Sequence, residues 1–212
     1  VLERLLEEET IAMAGLFFGL VVGTIWIAWH LLERIDAATL TIIAGVGIVL
    51  FFLLGLREDT GVAEGTDEVV TQPFWVFAVA GAIAICAMIL PGISGSFILV
   101  MLGMYTEVLG AVNDRDFGSL TAFAIGCVAG LALFSTLLSW LLHHYRNQVI
   151  AAMIGLMLGS MRVLWPWPNG TFTTTLAAPS GEIALPIVLA IVGAAVVIAV
   201  EHFSSRVGTM PD

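Results

Sequence analysis

The residues with the clearest chemical potential are Pro91-Gly92-Ile93-Ser94-Gly95-Ser96, a polar, helix-breaking string set inside an apolar run from Phe74 to Val112. Proline removes a backbone donor and stops a helix, while glycine admits backbone shapes that other residues resist. The amides from Ser94 to Phe97 then open a new helix, whose free N–H groups and dipole favour an anion. The Ser94 and Ser96 hydroxyls add donors. Pro91, Gly92, Ser94, Gly95 and Ser96 together read as an anion-accepting turn that suits a phosphate group. The plainer reading of the same residues is a Pro/Gly kink that only bends a helix.

Arg162 is the second candidate, three residues before Trp165 and still inside an apolar run. A buried arginine in such a run usually faces a partner or a wet cavity, and its planar fork suits phosphate. The plainer reading is a side chain that snorkels to a nearby interface. Tyr105 and Glu107 follow Gly103, and Glu107 is placed to exchange a proton or bind a cation. Its plainer role is a solvated helix-end acid. His143, His144 and His202 stand at helix ends, with Glu201 beside His202 as a further coupling candidate. Gly92-Ile93-Ser94-Gly95 also matches the Gly-x-Ser-Gly string of rhomboid-type intramembrane serine proteases. Such a serine needs a histidine base within reach. All four histidines here lie near span ends and Pro91 precedes the string, which argues against that reading. No catalytic residue, metal site or cofactor is expected, and proton or cation coupling stays open.

Composition sets the environment of these residues. Of 212 residues 59% are hydrophobic and 11% charged, and the mean hydropathy is +1.05. That excludes an ordinary soluble domain and implies an all-α polytopic membrane protein, since strand alternation is lacking. The net charge of −10 comes from 17 acids against seven arginines. The acids gather at Glu3–Glu9 and Glu58–Glu68, a solvated acidic face that excludes nucleic acid as a partner. Cys86 and Cys127 lie in apolar spans and read as small helix-packing residues.

The expected organisation runs in four parts. Residues 1–56 hold two spans, 10–32 and 39–56, and 57–73 form an acidic exposed loop. Residues 74–203 hold a hairpin, 74–112, and spans 118–142, 149–165 and 183–203; 204–212 are a tail. At about 1.5 Å per residue each hairpin limb reaches roughly 25 Å, short of a hydrocarbon core of about 30 Å, so a re-entrant helical hairpin fits. The cluster Trp165-Pro166-Trp167-Pro168 reads as an interfacial anchor.

A repeat is visible. The segment from Gly19 to Trp29 aligns with Gly155 to Trp165: Gly19 and Gly23 match Gly155 and Gly159, Thr24 matches Ser160, and Trp29 matches Trp165. Each copy is followed by one more span. An odd number of crossings separates the copies, so they run in opposite directions, the signature of an inverted-repeat bundle that works by alternating access. The second copy is preceded by a hairpin and a span, the first by only nine residues. The first repeat is therefore expected to be incomplete in this chain. The loops near Arg34, Arg146 and Arg206 share one side, assigned to the cytoplasm because they are short and less acidic.

The string Ile89-Leu90-Pro91-Gly92-Ile93-Ser94-Gly95-Ser96, followed by Leu102-Gly103-Met104-Tyr105, resembles the Pro-Gly-x-Ser-Gly-Gly and Gly-x-Tyr hallmark of a prokaryotic membrane family. That family was long labelled a domain of unknown function and is associated with polyprenyl-phosphate translocation. The Gly155–Trp167 segment, including Arg162, is similar to its later helix. Members carry the Pro-Gly-x-Ser-Gly element twice, and this chain holds the second. Ser96 departs from the pattern, where glycine is more usual. The resemblance implies a multi-pass flippase of the prokaryotic plasma membrane. It would return a polyprenyl phosphate carrier lipid, undecaprenyl or dolichyl-type, from the outer to the inner leaflet for cell-envelope glycan synthesis. The bilayer and that lipid are the implied partners, a homo-oligomer is allowed, and a transporter of another small anion is the main competing reading.

Overall fold

The computed structural model describes residues 10–55, 73–91, 93, 95–167, 178–179 and 183–207. The acidic lead-in, most of the acidic loop and of the 169–182 loop, and Gly92 and Ser94 lie outside the described residues. The described secondary structure is helical: α1 Thr10–His30, α2 Ala37–Gly55, α3 Phe74–Ile89, α4 Gly95–Met101, α5 Tyr105–Asn113, α6 Phe117–His144, α7 Arg146–Ser160 and α8 Ala184–Val207. Four of these, α1, α2, α6 and α8 to Ser204, are long and apolar enough to cross a membrane. The chain is an all-α polytopic membrane protein. It divides into two compact units, one of residues 1–59 with 150–212 and one of residues 60–149.

In the first unit, helices pair through glycine. A Cβ on Gly15 would meet Pro186, one on Gly19 would collide with the carbonyl of Ala190, and one on Gly23 would press on Ala194. The contacts climb both helices together, so α1 and α8 run parallel. A second seam joins α2 and α7: Gly155 lies against the Ile43 carbonyl and Gly159 against the Gly47 carbonyl and Leu50. This pair is parallel too. Ile25, Ala28, Trp29 and Leu32 at the end of α1 pack on Ile43, Ile150, Ala151 and Ile154 near the starts of α2 and α7. Helices α1 and α7, the two carriers of the repeated glycines, therefore run in opposite directions.

The second unit is built on α3 and α6, again parallel. Gly126 lies against the carbonyl of Ala78, Gly130 against Ala82, and Gly81 against the carbonyl of Phe123. Both cysteines are free thiols in this seam; Cys86 Sγ reaches the Gly130 carbonyl at 3.6 Å and Cys127 Sγ the Gly81 carbonyl at 3.4 Å. The chain then doubles back. Gly95 packs on Met88, and Leu99, Met104 and Ala111 join Phe77, Ala80 and Ala84 in one core. Phe74 lies beside Gly118, so the hairpin begins and ends at the same end of α6.

The return limb is not the single helix expected over 97–112. It is two short helices split at Gly103, whose φ is +66°. Met104 N–H bonds to Leu99 O at 2.9 Å and Gly103 N–H to Val100 O at 3.0 Å, the paired bonds of a Schellman stop. Leu99 and Met104, the residues such a stop brings together, are both buried. The same device ends α5, where Asp116 N–H reaches Ala111 O at 2.9 Å and Arg115 takes the left-handed position at φ 54°. Asp116 then caps α6, accepting from the N–H groups of Gly118 and Ser119 and, at 2.6 Å, from the Ser119 hydroxyl. Asp36 caps α2 in the same way through Thr39. These hydrogen bonds, led in each case by the side-chain hydroxyl, hold both carboxyls below their ordinary pKa.

Helix α7 also departs from expectation. It spans Arg146–Ser160 rather than 149–165, and Arg162 and Val163 continue it only as tightened turns onto Gly159 and Ser160. Ser160 donates to Met157 O at 2.8 Å, and Pro166 holds the chain before it extended. At 15 residues α7 is about 22 Å long.

One pair of substitutions tests this packing and a third tests the turn before α6. Gly126→Leu forces α3 and α6 apart and should cost about 1–3 kcal/mol or more, whereas Gly45→Ala, with open space around it, should be neutral or stabilising. Thermal unfolding in one detergent reads both; equal loss at the two sites would deny the seam. Arg115→Gly removes a left-handed non-glycine residue and should raise stability by about 1 kcal/mol, read in the same assay.

Candidate functional site

The break is a turn at the tip of the hairpin. Helix α3 ends at Ile89, Leu90 is extended at φ −79° and ψ 123°, and Ile93 N–H bonds to Leu90 O at 3.3 Å across Pro91. Proline in the second position of such a turn is pre-set for it. Gly95 opens α4 and is buried, because a Cβ there would strike Met88 Cγ at 2.5 Å and Ala84 O at 3.1 Å. Gly95 therefore serves close approach of the two limbs, and Ser96 next to it is exposed. Helix α4 is only seven residues long, so its dipole is smaller than a full-length helix would supply.

The depth of the break follows from the α3–α6 register. Ala78 lies beside Gly126 and Ala82 beside Gly130, so Ile89 falls beside Leu137 and Leu138, about 10 Å short of the end of α6. Helix α3 itself is 16 residues, about 24 Å.

Arg162 belongs to the first unit, the break to the second. The Arg162 Cζ stands 4.8 Å from the centre of the Phe51 ring. A Cβ on Gly55 would lie 2.7 Å from that same carbon, so the guanidinium fills the notch that Gly55 leaves at the end of α2. Ring stacking and the negative end of α2 both favour a cation there. The cation is thus positioned by two residues that the sequence reading did not single out. Their signal was an aromatic residue and a glycine four apart at the end of an apolar span.

Tyr105 is the exposed first residue of α5 and Glu107 sits half-buried in its first turn, where a carboxylate complements the helix dipole. The tryptophan cluster is not a simple interfacial anchor. Trp165 packs edge-on against Phe18 at 5.9 Å and against Trp167 at 5.6 Å, and Trp167 is only 5% exposed. Pro166 and Trp167 fold the chain back onto the α1–α8 pair, lining an apolar groove of about 420 Å3 with Gly19 and Pro186.

The site is tested through its support. Gly55→Ala displaces the guanidinium without deleting it, and Arg162→Lys keeps the charge but loses the planar stack. Both should lower affinity for a phosphate monoester several-fold with the fold intact by circular dichroism. Equal affinity in both would show that the position of the cation is immaterial.

Comparison with known proteins bears on what this arrangement serves. Residues 1–183 match the family model described as VCA0040-like: undecaprenyl phosphate translocase-like. A polyprenyl-phosphate transporter of Vibrio cholerae is 40% identical over 163 residues, 77% of this chain and 50% of the relative. A polyprenyl-phosphate transporter of Staphylococcus aureus is 30% identical over 175 residues, 76% of this chain and 60% of the relative. The chain thus spans about half the length of the first of these relatives. No solved structure matches it. By the extent of the family match, this chain belongs to the undecaprenyl phosphate translocase-like family.

Proposed function

We propose that this protein carries a polyprenyl phosphate across the prokaryotic plasma membrane, returning the carrier lipid from the outer to the inner leaflet. The observation that carries the reading is the family match over residues 1–183, together with two relatives named as polyprenyl-phosphate transporters. Those names are of transporters and not of an enzyme, which sets the protease reading of Gly92–Gly95 aside.

The geometry gives the reading a mechanism. A hairpin that begins and ends at one end of α6 and turns about 10 Å short of the other is re-entrant if α6 spans the bilayer. Its tip then brings non-helical backbone and Ser96 to membrane depth, where such backbone is tolerated only beside a polar path. Pro91, Gly92, Ser94, Gly95 and Ser96 are the proposed phosphate contacts of this motif, and Arg162, which belongs to the first unit, is a further proposed contact in its own right. Glu107, with Tyr105 beside it, is the proposed coupling group. The opposite directions of α1 and α7, each with two glycines at a parallel partner, support the inverted repeat and a rocking exchange between two faces. Most of the prenyl tail remains in lipid, so it is chiefly the charged head that needs a protein path.

Reconstituted liposomes with polyprenyl phosphate loaded in one leaflet test this directly. Transport should appear with the wild type, and Arg162→Ala should lower head-group affinity on the order of tenfold or more by losing charged hydrogen bonds. Ser94→Ala should weaken it less. Full transport and binding in both variants would remove these residues from the mechanism, and no transport by the wild type would remove the function.

A further inference from the structure

Along the last turns of α6, Ser135, Ser139 and His143 recur every four residues and share one face. A groove of about 510 Å3 opens beside them against Ile89, the last residue of α3, with Leu138 and Leu142 in its apolar wall and Arg146 also lining it. A second lobe, about 590 Å3, shares the three polar residues and adds Thr136, Trp140 and His144. All of this lies in the second unit.

The polar groups of the groove differ in what already holds them. His144 stacks on Trp140 at 4.9 Å and its Nδ1 lies 3.0 Å from the Trp140 carbonyl oxygen. The Ser135 hydroxyl donates to Ala132 O at 3.1 Å. The Ser139 hydroxyl and the His143 ring have no partner among the described residues. Among the described residues no carboxylate lines either lobe.

We propose that this groove is a second head-group site, holding the phosphate of an isoprenoid monophosphate near the end of α6. Its first prenyl units lie along Leu138, Leu142 and Ile89. The proposal rests on the transport reading above and adds a site to it. Arg146, which already has an interaction within the chain, supplies a permanent charge, and Ser139 and His143 supply donors from the adjacent helix face. The apolar wall is what a free phosphate ion would not use and an isoprenoid would. Because Ile89 is also the last helical residue before the Pro91 turn, a head group leaving this groove is next to the hairpin tip. The same groove is thus a waiting position on the path between water and the break.

The test is native mass spectrometry of the full chain in detergent with farnesyl phosphate, farnesol and inorganic phosphate as separate probes. The wild type should retain farnesyl phosphate over the other two. Arg146→Gln, and Ser139→Ala combined with His143→Gln, should each weaken that retention on the order of tenfold through lost charge-assisted hydrogen bonds. Retention unchanged in both overturns the groove alone, and inorganic phosphate held as tightly as farnesyl phosphate overturns the prenyl assignment. Failure of the wild type to retain farnesyl phosphate overturns this site, while the transport reading stands or falls separately on the liposome assay. A benzophenone side chain at Leu138 covers the case of a variant that does not fold. Cross-linking to farnesyl phosphate supports the site. Cross-linking only to protein, whether a second copy or another segment, overturns it.

Discussion

Apolar helices in a bilayer are not driven together by water, so they associate only as well as their surfaces fit. In this protein the fit is made by glycine against a neighbouring backbone. Gly19 meets Ala190, Gly126 meets Ala78, and Gly155 meets Ile43, each at a carbonyl and each between helices that run parallel. Such close approach gains dispersion contacts and weak Cα–H···O contacts that a larger side chain would forbid. Parallel helices cannot be joined by a short turn, so each pair has to be connected through other elements. The hairpin, the α1–α2 turn and the long return to α8 follow from that requirement.

A second constraint follows from the first. Where the chain reverses, the backbone groups freed at the helix ends need partners, most of all wherever lipid rather than water surrounds them. The hairpin meets the need locally. Leu99 and Val100 carbonyls are taken by the Schellman stop at Gly103, Ala111 and Val112 carbonyls by the stop at Arg115, and the first amides of α6 by Asp116. The Asp36–Thr39 pair does the same for α2 in the other unit. These short motifs let a polar turn exist next to helices that are apolar on every side.

How far the sequence could be read depended on which of these forces acted at a given place. The glycine spacing was legible because close packing imposes a period: Gly15, Gly19 and Gly23 sit every fourth residue, and the four-residue step recurs at Gly155 and Gly159. The break at Pro91 was legible because a proline flanked by Gly92 and Gly95 deep in an apolar run interrupts a helix. The stop at Gly103 was not, since glycine occurs 22 times in the chain and only hydrogen-bond geometry distinguishes a packing glycine from a left-handed one. The end of α7 was missed because hydropathy continues to Trp165 while the helix tightens after Ser160. Arg162 was picked out by its cost, but its seat on Phe51 and beside Gly55 depends on a helix far away in sequence.

That seat bears on how a phosphate could be moved at all. A cation and an anion each lose several kcal/mol of solvation on entering an apolar interior, and their attraction repays it only when further hydrogen bonds complete the site. A guanidinium stacked on Phe51 and set at the end of α2 has part of its desolvation offset before any ligand arrives. It is therefore pre-organised, as the proposed role in holding a head group would require. On the proposal that Arg162 holds the head group, the same stacking limits how far the guanidinium can follow a departing phosphate. Release would then require either a competing set of donors or a movement of α2 relative to α7. The glycine seam between those helices has few interlocking side chains and so resists sliding less than a fully interdigitated core would. On that proposal, a fixed cation beside a lightly interlocked seam is a coherent way to hold a charge firmly in one state and yield it in the next.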